Sequence, residues 1–465
     1  METITDFIAT ILTPIVDLGP LFMIFIVFTF IGLLVRLGPV RAFRNGLMIS
    51  VGFSGVYIIV DYFLAKVAPA ALALAERFGG VFTYTDIGWA AFASFAFSSP
   101  FAYGVIALSL VINLVMITLN LTDTLNLNIW DTWEATIGTL IVYGITGNIL
   151  VSFLFAGMML WITLMVCDWY AHKGYPEKFY NFPNITFYQG FNSIWGMFGH
   201  AVAKILDKFP WTSQAKFTPE FVQEKYGVIG EPAVLGGIIG LLMGIFAGLQ
   251  WGEVVMLMIS LSTALVLLPR MSGIVMEALV PVSEAAADFM RQRTHGKSLF
   301  IGVDPAIAVG HTTVLAVTVL MVPILILMSL IIPGAVNVPL ADLPALLFMW
   351  VYVAAPNKGD LLRTLITAII MGFLGIFASM KVAPWLSMVA VNSGVSVPPG
   401  TGVTSWFGHL DPTFLPAGLI GEALPTIGIV GVVIIVAAVI AGSTAIRINY
   451  NLRKKRELAV LAAAD

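Results

Sequence analysis

Charge is what this chain has least of. Only 11% of its 465 residues are Asp, Glu, Lys or Arg, 59% are hydrophobic, and the mean hydropathy is +0.96. So few charges cannot cover a soluble surface, which excludes a soluble domain and puts the chain in a bilayer. The formal net charge of -3, with basic residues scattered among loops, excludes a nucleic-acid partner, which needs a basic stripe. The single cysteine, Cys167, rules out a disulfide framework or a cysteine-rich metal site and reads as a small buried hydrophobe. No histidine-rich or paired-acid spacing suggests a metal, and there is no serine nucleophile elbow. Gly296-Lys297-Ser298 imitates the end of a phosphate-binding loop, yet the glycine required five positions earlier is Arg291. The chain therefore carries no energy-coupling domain of its own, and no cofactor is expected. No basic residue precedes Arg36, so the first apolar segment reads as a true span and not as a cleaved signal.

What the sequence does have is repetition. Landmarks recur roughly 212 positions apart in a shared order, as expected of an internal duplication. Gly19-Pro20 returns as the frame of Gly230-Glu231-Pro232, and Leu47-Met48-Ile49-Ser50 as Leu257-Met258-Ile259-Ser260. Asp86 is answered by Asp304, and Gly147-Asn148 by Gly359-Asp360. In membrane proteins such duplication marks transporters whose substrate site lies where the copies face each other.

A helix needs about 20 apolar residues to cross the hydrocarbon core. Spans are predicted at 15–36, 44–66, 101–120, 134–147, 148–168, 229–249, 252–268, 313–333, 343–356, 361–382 and 425–446, eleven in all. Two of them, 134–147 and 343–356, are short and occupy the same place in each copy. Lysine and arginine collect in cytoplasmic loops, and Arg36, Arg41 and Arg44, the loop 171–227, Lys358 with Arg363, and the tail Arg453-Lys454-Lys455-Arg456 all fall on one side. That count puts the N-terminus outside and the C-terminus in the cytosol. Five spans is an odd number, so the second copy is inverted relative to the first.

The fold class is thus an all-α integral membrane protein: two inverted five-span repeats plus one span, with two re-entrant hairpins. The first repeat is 1–170 with a hairpin at 83–100. A cytosolic loop, 171–228, holds an amphipathic helix around Ile194 to Leu206, which either faces a cytosolic partner or lies in the headgroup layer. The second repeat is 229–383 with a hairpin at 299–313. An external loop, the eleventh span and a basic tail fill 384–465.

The hairpins carry the candidate site. Each mixes an acid, glycine and proline with apolar residues: Asp86, Gly88, Trp89, Ser98, Ser99 and Pro100 in the first, Gly302, Asp304, Pro305, His311 and Thr312 in the second. Non-helical backbone at membrane depth survives only where protein buries it or where it lines a polar cavity. An ionisable group there costs on the order of 3 kcal/mol, so Asp86 and Asp304 either ligate a substrate or cap the short helix of their own hairpin. Glu231 reads as an intramembrane site acid or as a first-turn acid favoured by the helix dipole. His311 either meets substrate and accepts a proton or packs as a satisfied histidine. His172, His200, His295 and His409 read as solvated. Trp89, Trp130 and Trp133 stack on a sugar or belong to the interfacial belt.

These residues resemble a known family. Gly230-Glu231-Pro232, Leu268-Pro269-Arg270, Ile301-Gly302-Val303-Asp304-Pro305-Ala306 with Gly310-His311-Thr312, and Leu362-Arg363-Thr364-Leu365-Ile366 are similar to the galactitol-type IIC membrane component of the bacterial phosphoenolpyruvate-dependent phosphotransferase system, in the ascorbate/galactitol permease superfamily. The resemblance covers most of the chain and is strongest from Gly227 to Ile370. It implies a homodimer in the bacterial inner membrane, each protomer having a dimerising scaffold and a mobile core that moves substrate like an elevator. It also implies phosphoryl transfer to a sugar or polyol from a cysteine on a separate cytosolic IIB subunit, itself charged by IIA, so that Cys167 is not the phosphorylated thiol. The chain departs from the family after the fifth span, where Pro-His-Gly is common and Tyr188-Gln189-Gly190 stands here. The function expected is therefore a sugar or sugar-alcohol IIC permease. An ion-coupled transporter of a polyhydroxylated solute, with Asp86, Asp304 or Glu231 titrating, is the alternative; a passive channel ranks third.

Overall fold

The computed structural model of the protein describes residues 19–77, 83–128, 130–209, 212, 228, 231–293, 299–339, 341–342 and 345–462. Gly230, His295, Gly296, Lys297 and Ser298 lie outside these residues, as do Lys216 and Lys225.

The chain is mostly helical, and the described part of each of the eleven predicted spans overlaps a helix. Four helices form one unit: α1 (Gly19–Leu34), α2 (Pro39–Arg77), α8 (Pro232–Ala247) and α9 (Trp251–Arg293). Here α1 packs on α2, and α9 packs on both α8 and α2. Small residues permit this. Gly236, Gly240 and Gly244 form one face of α8, and a Cβ on Gly240 would come within 2.7 Å of Met258 Cα on α9. Lipid supplies no hydrophobic drive for helix association, so close backbone approach of this kind is what holds such helices together.

The second unit begins at β1 (Tyr84–Asp86), followed by α3 (Trp89–Ser98) and α4 (Phe101–Thr118). Then come β2 (Thr124–Asn126), α5 (Thr132–Thr146), α6 (Ile149–His172), a π-turn at Tyr175–Phe179, β3 (Ile185–Phe187) and α7 (Ile194–Leu206). From the second copy it takes β4 (Phe300–Val303), a 3-10 turn at Pro305–Ala308, α10 (Thr312–Ile331), α11 (Leu347–Ala354) and α12 (Leu361–Asn392). It closes with β5 (Gly402–Thr404), α13 (Trp406–Leu410) and α14 (Phe414–Ala462), which is broken by a kink at Gly428 (φ 64°). Among the described residues, five helical stretches are long and apolar enough to cross a membrane: Phe101–Thr118, Ile149–His172, Thr312–Ile331, Leu361–Asn392 and Phe414–Leu452. The two short predicted spans are α5 and α11. All eight residues of α11 are buried, as suits a helix too short to cross and enclosed by others.

The repeat has a local physical cause at the Gly147-Asn148 and Gly359-Asp360 pairs. Gly147 (φ 64°) and Gly359 (φ 73°) take the left-handed conformation that ends a helical segment. Asn148 and Asp360 then cap the next helix, accepting from Val151 N at 3.1 Å and Arg363 N at 2.8 Å.

Among the described residues five short strands, of three or four residues each, accompany the helices, which the all-α expectation did not include. All pair in parallel: β1 of the first copy lies on β5 of the segment after the second, with Asp86 opposite Thr404, and β4 of the second copy lies between β2 of the first copy and β3 of the segment that joins the copies. Short strands give unwound backbone its hydrogen-bond partners inside the protein. Two segments read as loops carry secondary structure. Residues 175–206 of the supposed cytosolic loop fold into the core, where Tyr180 Oη donates to Val351 O at 2.6 Å and Trp195 Nε1 to Leu410 O at 2.9 Å. The supposed external loop 384–424 contains the end of α12, β5, α13 and the start of α14, with Trp406, Phe407, His409 and Asp411 buried.

Candidate functional site

Both broken segments start the same way. Each runs strand, aspartate, short helix, break, long helix, and each aspartate accepts a backbone N–H two residues on: Gly88 N to Asp86 Oδ1 at 3.1 Å, Ala306 N to Asp304 Oδ1 at 2.7 Å. From there the two acids diverge. Asp86 is buried and also accepts from Ala341 N (3.0 Å), Asp342 N (3.1 Å) and Trp406 N (3.3 Å). Those four donors match the roughly four lone-pair sites of a carboxylate, so the side chain is saturated by backbone. Asp304 stays partly exposed, facing a cavity.

That cavity is narrow and lies at the junction of the broken segments. It is lined by Trp89, Trp130, Asp131, Trp133, Gln189, Asp304, Phe348 and Phe407. Trp133 sits between two aromatic neighbours, 6.0 Å from Trp89 and 6.1 Å from Phe407 between ring centroids. Aromatic walls with a few convergent polar groups are the lining of a small-molecule site, and the space between them, about 10 Å³, holds a single water, so a polyol enters only if the walls part. The rings offer faces to C–H surfaces, and the two carboxylates and the amide accept from hydroxyls. Gln189 Oε1 is buried and has no protein partner.

A second layer of polar groups supports this wall. Asn128 Nδ2 donates to Asp131 Oδ2 and, at 2.8 Å, to Tyr188 O. Asn192 Nδ2 donates to Glu134 Oε2 at 3.0 Å. Glu134 is fully buried. Gly190 (φ 41°) makes room for it, because a Cβ at that position would lie 1.6 Å from Glu134 Oε2. A larger cavity, lined by Ile24, Val27, Phe28 and Leu279 of the four-helix unit, meets this one at Trp130 and Asp304.

The structure brings together Trp89, Trp133 and Asp304 of the predicted residues, along with Trp130. Gly88 (φ 82°) shapes the turn after Asp86, and Pro305 is the buried start of the 3-10 turn. Ser98 and Ser99 line a different, wide cavity with Tyr143, Asn392 and Ser393. His311 caps α10, with Nδ1 accepting from Thr313 N at 3.2 Å, and its ring lies 4.4 Å from that of Phe179; Thr312 is the first residue of that helix. Glu231 is the half-exposed N-cap of α8, without a capping side-chain bond, and lines neither the narrow nor the larger cavity. Among the described residues no cluster of three metal-ligating side chains occurs.

Histidines expected in solvent are partnered. His172 meets Asp123 at 2.9 Å, His200 meets Tyr175 Oη at 2.6 Å, and the buried His409 meets Thr404 Oγ1 at 2.8 Å. Sequence reasoning also missed Asp131, Glu134, Gln189, Asp342 and Asp411. Asp131 and Glu134 carried a usable signal, since they are acids at the mouth of an apolar span. Gln189 carried another, standing where the resembling family often has histidine.

A family model described as the PTS system sugar-specific permease component, EIIC-GAT, matches residues 14–400. A permease IIC component of Escherichia coli (strain K12) is 28% identical over 425 residues, 91% of this chain and 96% of that protein. The galactitol-specific EIIC component of the same strain is 28% identical over 382 residues, 82% of this chain and 84% of that protein.

Proposed function

The chain belongs to the sugar-specific permease components of the phosphotransferase system, and on that premise we propose that it is a IIC permease for a galactitol-like sugar alcohol or sugar. The observation that carries this reading is the cavity where Trp89 of one broken segment and Asp304 of the other meet Asp131, Gln189 and Trp133. Substrate hydroxyls donate to Asp131 and Asp304 and to the vacant Gln189 Oε1, while the tryptophans cover the carbon chain.

The broken segments are re-entrant hairpins in this reading. Ser98 and Ser99, at the turn of the first, share a cavity with Asn392 and Ser393 at one end of α12. At the second turn, Thr313 Oγ1 donates to Gly359 O at 2.9 Å, at the other end of α12. A helix of 32 residues is about 48 Å long, so the turns open to opposite sides, as inverted repeats require. The first turn faces outside and the second the cytosol, with the N-terminus outside. The four-helix unit α1, α2, α8 and α9 is the scaffold of a homodimer, and the second unit slides against it as an elevator. A hydroxyl oxygen of the bound polyol attacks the phosphorus of a phosphocysteine on IIB. The P–S bond breaks, the thiolate leaves, and the hydroxyl proton passes to an acceptor near the site. IIA recharges IIB.

The test is uptake by proteoliposomes with and without phosphoenolpyruvate and the soluble components. Phosphorylated polyol is expected inside, and only with the complete set. Accumulation of unmodified polyol on a proton or sodium gradient alone rejects the reading in favour of an ion-coupled carrier.

A further inference from the structure

The narrow cavity owes its shape to an acid that does not line it. Asp342 is fully buried in the stretch before α11, and its two oxygens hold three donors from two other segments. Asp342 Oδ1 accepts from Trp89 N at 2.7 Å, and Oδ2 accepts from Phe407 N at 2.9 Å and Ser405 Oγ at 2.6 Å. Trp89 and Phe407 are the rings that flank Trp133 in the cavity wall. The grip is reciprocal, because Asp86, beside Trp89 in the first broken segment, accepts from Ala341 N and Asp342 N. One carboxylate thus ties the first turn of α3 to the first turn of α13, where helix N–H groups have no partner within the helix.

We infer that Asp342 is a positioning residue: it sets the separation of Trp89 and Phe407 on either side of Trp133, and with it the polyol affinity of the cavity. The inference rests on the cavity being the substrate site. The chemistry demands a carboxylate. Three donors need acceptors on both oxygens, whereas asparagine offers one oxygen and sets an NH2 group against an N–H. Glutamate keeps both oxygens but carries them one methylene further into a packed region. An amide proton left unpaired in a buried site disturbs its backbone, so the aromatic wall shifts even though the substrate never touches residue 342.

Equilibrium binding to the purified full-length protein tests this. The probe is whichever of tritiated galactitol, mannitol and glucitol binds the wild type most tightly. Asp342→Asn is expected to raise the Kd of the folded, monodisperse fraction at least tenfold. A residue of merely structural importance would lower the yield of that fraction and leave its Kd unchanged, and that result overturns the inference. In a Trp89→Ala background the effect of Asp342→Asn should shrink markedly, because it acts through that ring; fully multiplicative effects also overturn it. If Asp342→Asn gives no folded protein, Ser405→Ala takes its place. It loosens Oδ2 without removing either N–H contact and should raise Kd about threefold, an unchanged value counting against the inference. Asp304→Asn separates the two levels. If it leaves Kd unchanged, or if no probe binds the wild type, the reading of the cavity fails and the inference with it. If it abolishes binding while Asp342→Asn changes nothing, the inference alone fails.

Discussion

Asp86 and Asp304 look equivalent in the sequence, yet their surroundings give them different work. Asp304 has one oxygen on its own turn and keeps a face toward the cavity, so Asp304→Asn should abolish polyol binding while the protein still inserts and folds. Unchanged affinity by the same binding measurement would reduce Asp304 to a cap. Asp86 holds four backbone N–H groups, and Asp86→Ala would strand them in the interior at about 1–3 kcal/mol for each one left unsatisfied. The expected outcome is a loss of folded protein in size-exclusion profiles, where the sequence alone left substrate contact equally open. Gly190 is a third residue whose identity is dictated by a neighbour. Gly190→Ala drives a methyl into Glu134 and adds strain at positive φ, so it should lower thermal stability by about 1–3 kcal/mol and impair uptake.

At the scale of elements, the long C-terminal helix is anchored by charge. Arg447 of α14 is buried and pairs with Asp123, lies 3.8 Å from Asp168 of α6, and contacts His172 at 3.4 Å. Asp123 O in turn accepts from Phe300 N at 2.7 Å, which joins this anchor to the strand that leads into Asp304. Arg447→Leu leaves buried carboxylates uncompensated and should cost about 3–5 kcal/mol in unfolding experiments; Arg447→Lys should restore part of it, since an ammonium cannot copy the guanidinium's forked contacts. The turn between α6 and α7 responds to pH. Burial lowers the pKa of His200, helped by Lys173 and Lys204, so its neutral ring accepts from Tyr175, whose own phenol burial pushes up to about 12. A histidine with a depressed pKa contributes stability above its ordinary value of 6.5, and that contribution fades as pH falls further. Acidification should therefore change Trp169 fluorescence, because that ring lies 5.6 Å from His200, and the change should vanish in His200→Gln.

For the whole molecule, the proposed inversion of the copies makes a prediction that needs no substrate. The one native cysteine is buried, so single cysteines can be read against a silent background. Ser99→Cys at the first turn should react with an impermeant maleimide from outside the cell, and Lys358→Cys, beside the second turn, only from the cytosolic side. Labelling of both from one side would rule out the inverted arrangement. Strand pairing over long sequence distances, β1 on β5 and β4 between β2 and β3, ties the second unit together. The glycine-faced packing of α8 on α9 does the same for the other unit.

Hydropathy alone was enough to put this chain in a bilayer, because water cannot solvate so apolar a surface, and residue spacing alone suggested the duplication. The Gly-Asn and Gly-Asp caps are local, so they are readable in one dimension, and so is the amphipathic helix at Ile194–Leu206, found where its apolar period ended. The site was legible only in part. Trp89 and Asp304 stood in segments whose glycines and prolines broke the helical pattern and Trp133 at the edge of a short span, but Asp131, Gln189, Asp342 and Asp411 lie in stretches that read as ordinary loops or span ends. Strands of three or four residues carry too few alternations to be seen in sequence, and their partners lie in the opposite copy. Which acid is saturated by backbone and which still faces a cavity depends on N–H groups that are hundreds of residues away in the chain, and only the folded protein brings those within 3 Å or so.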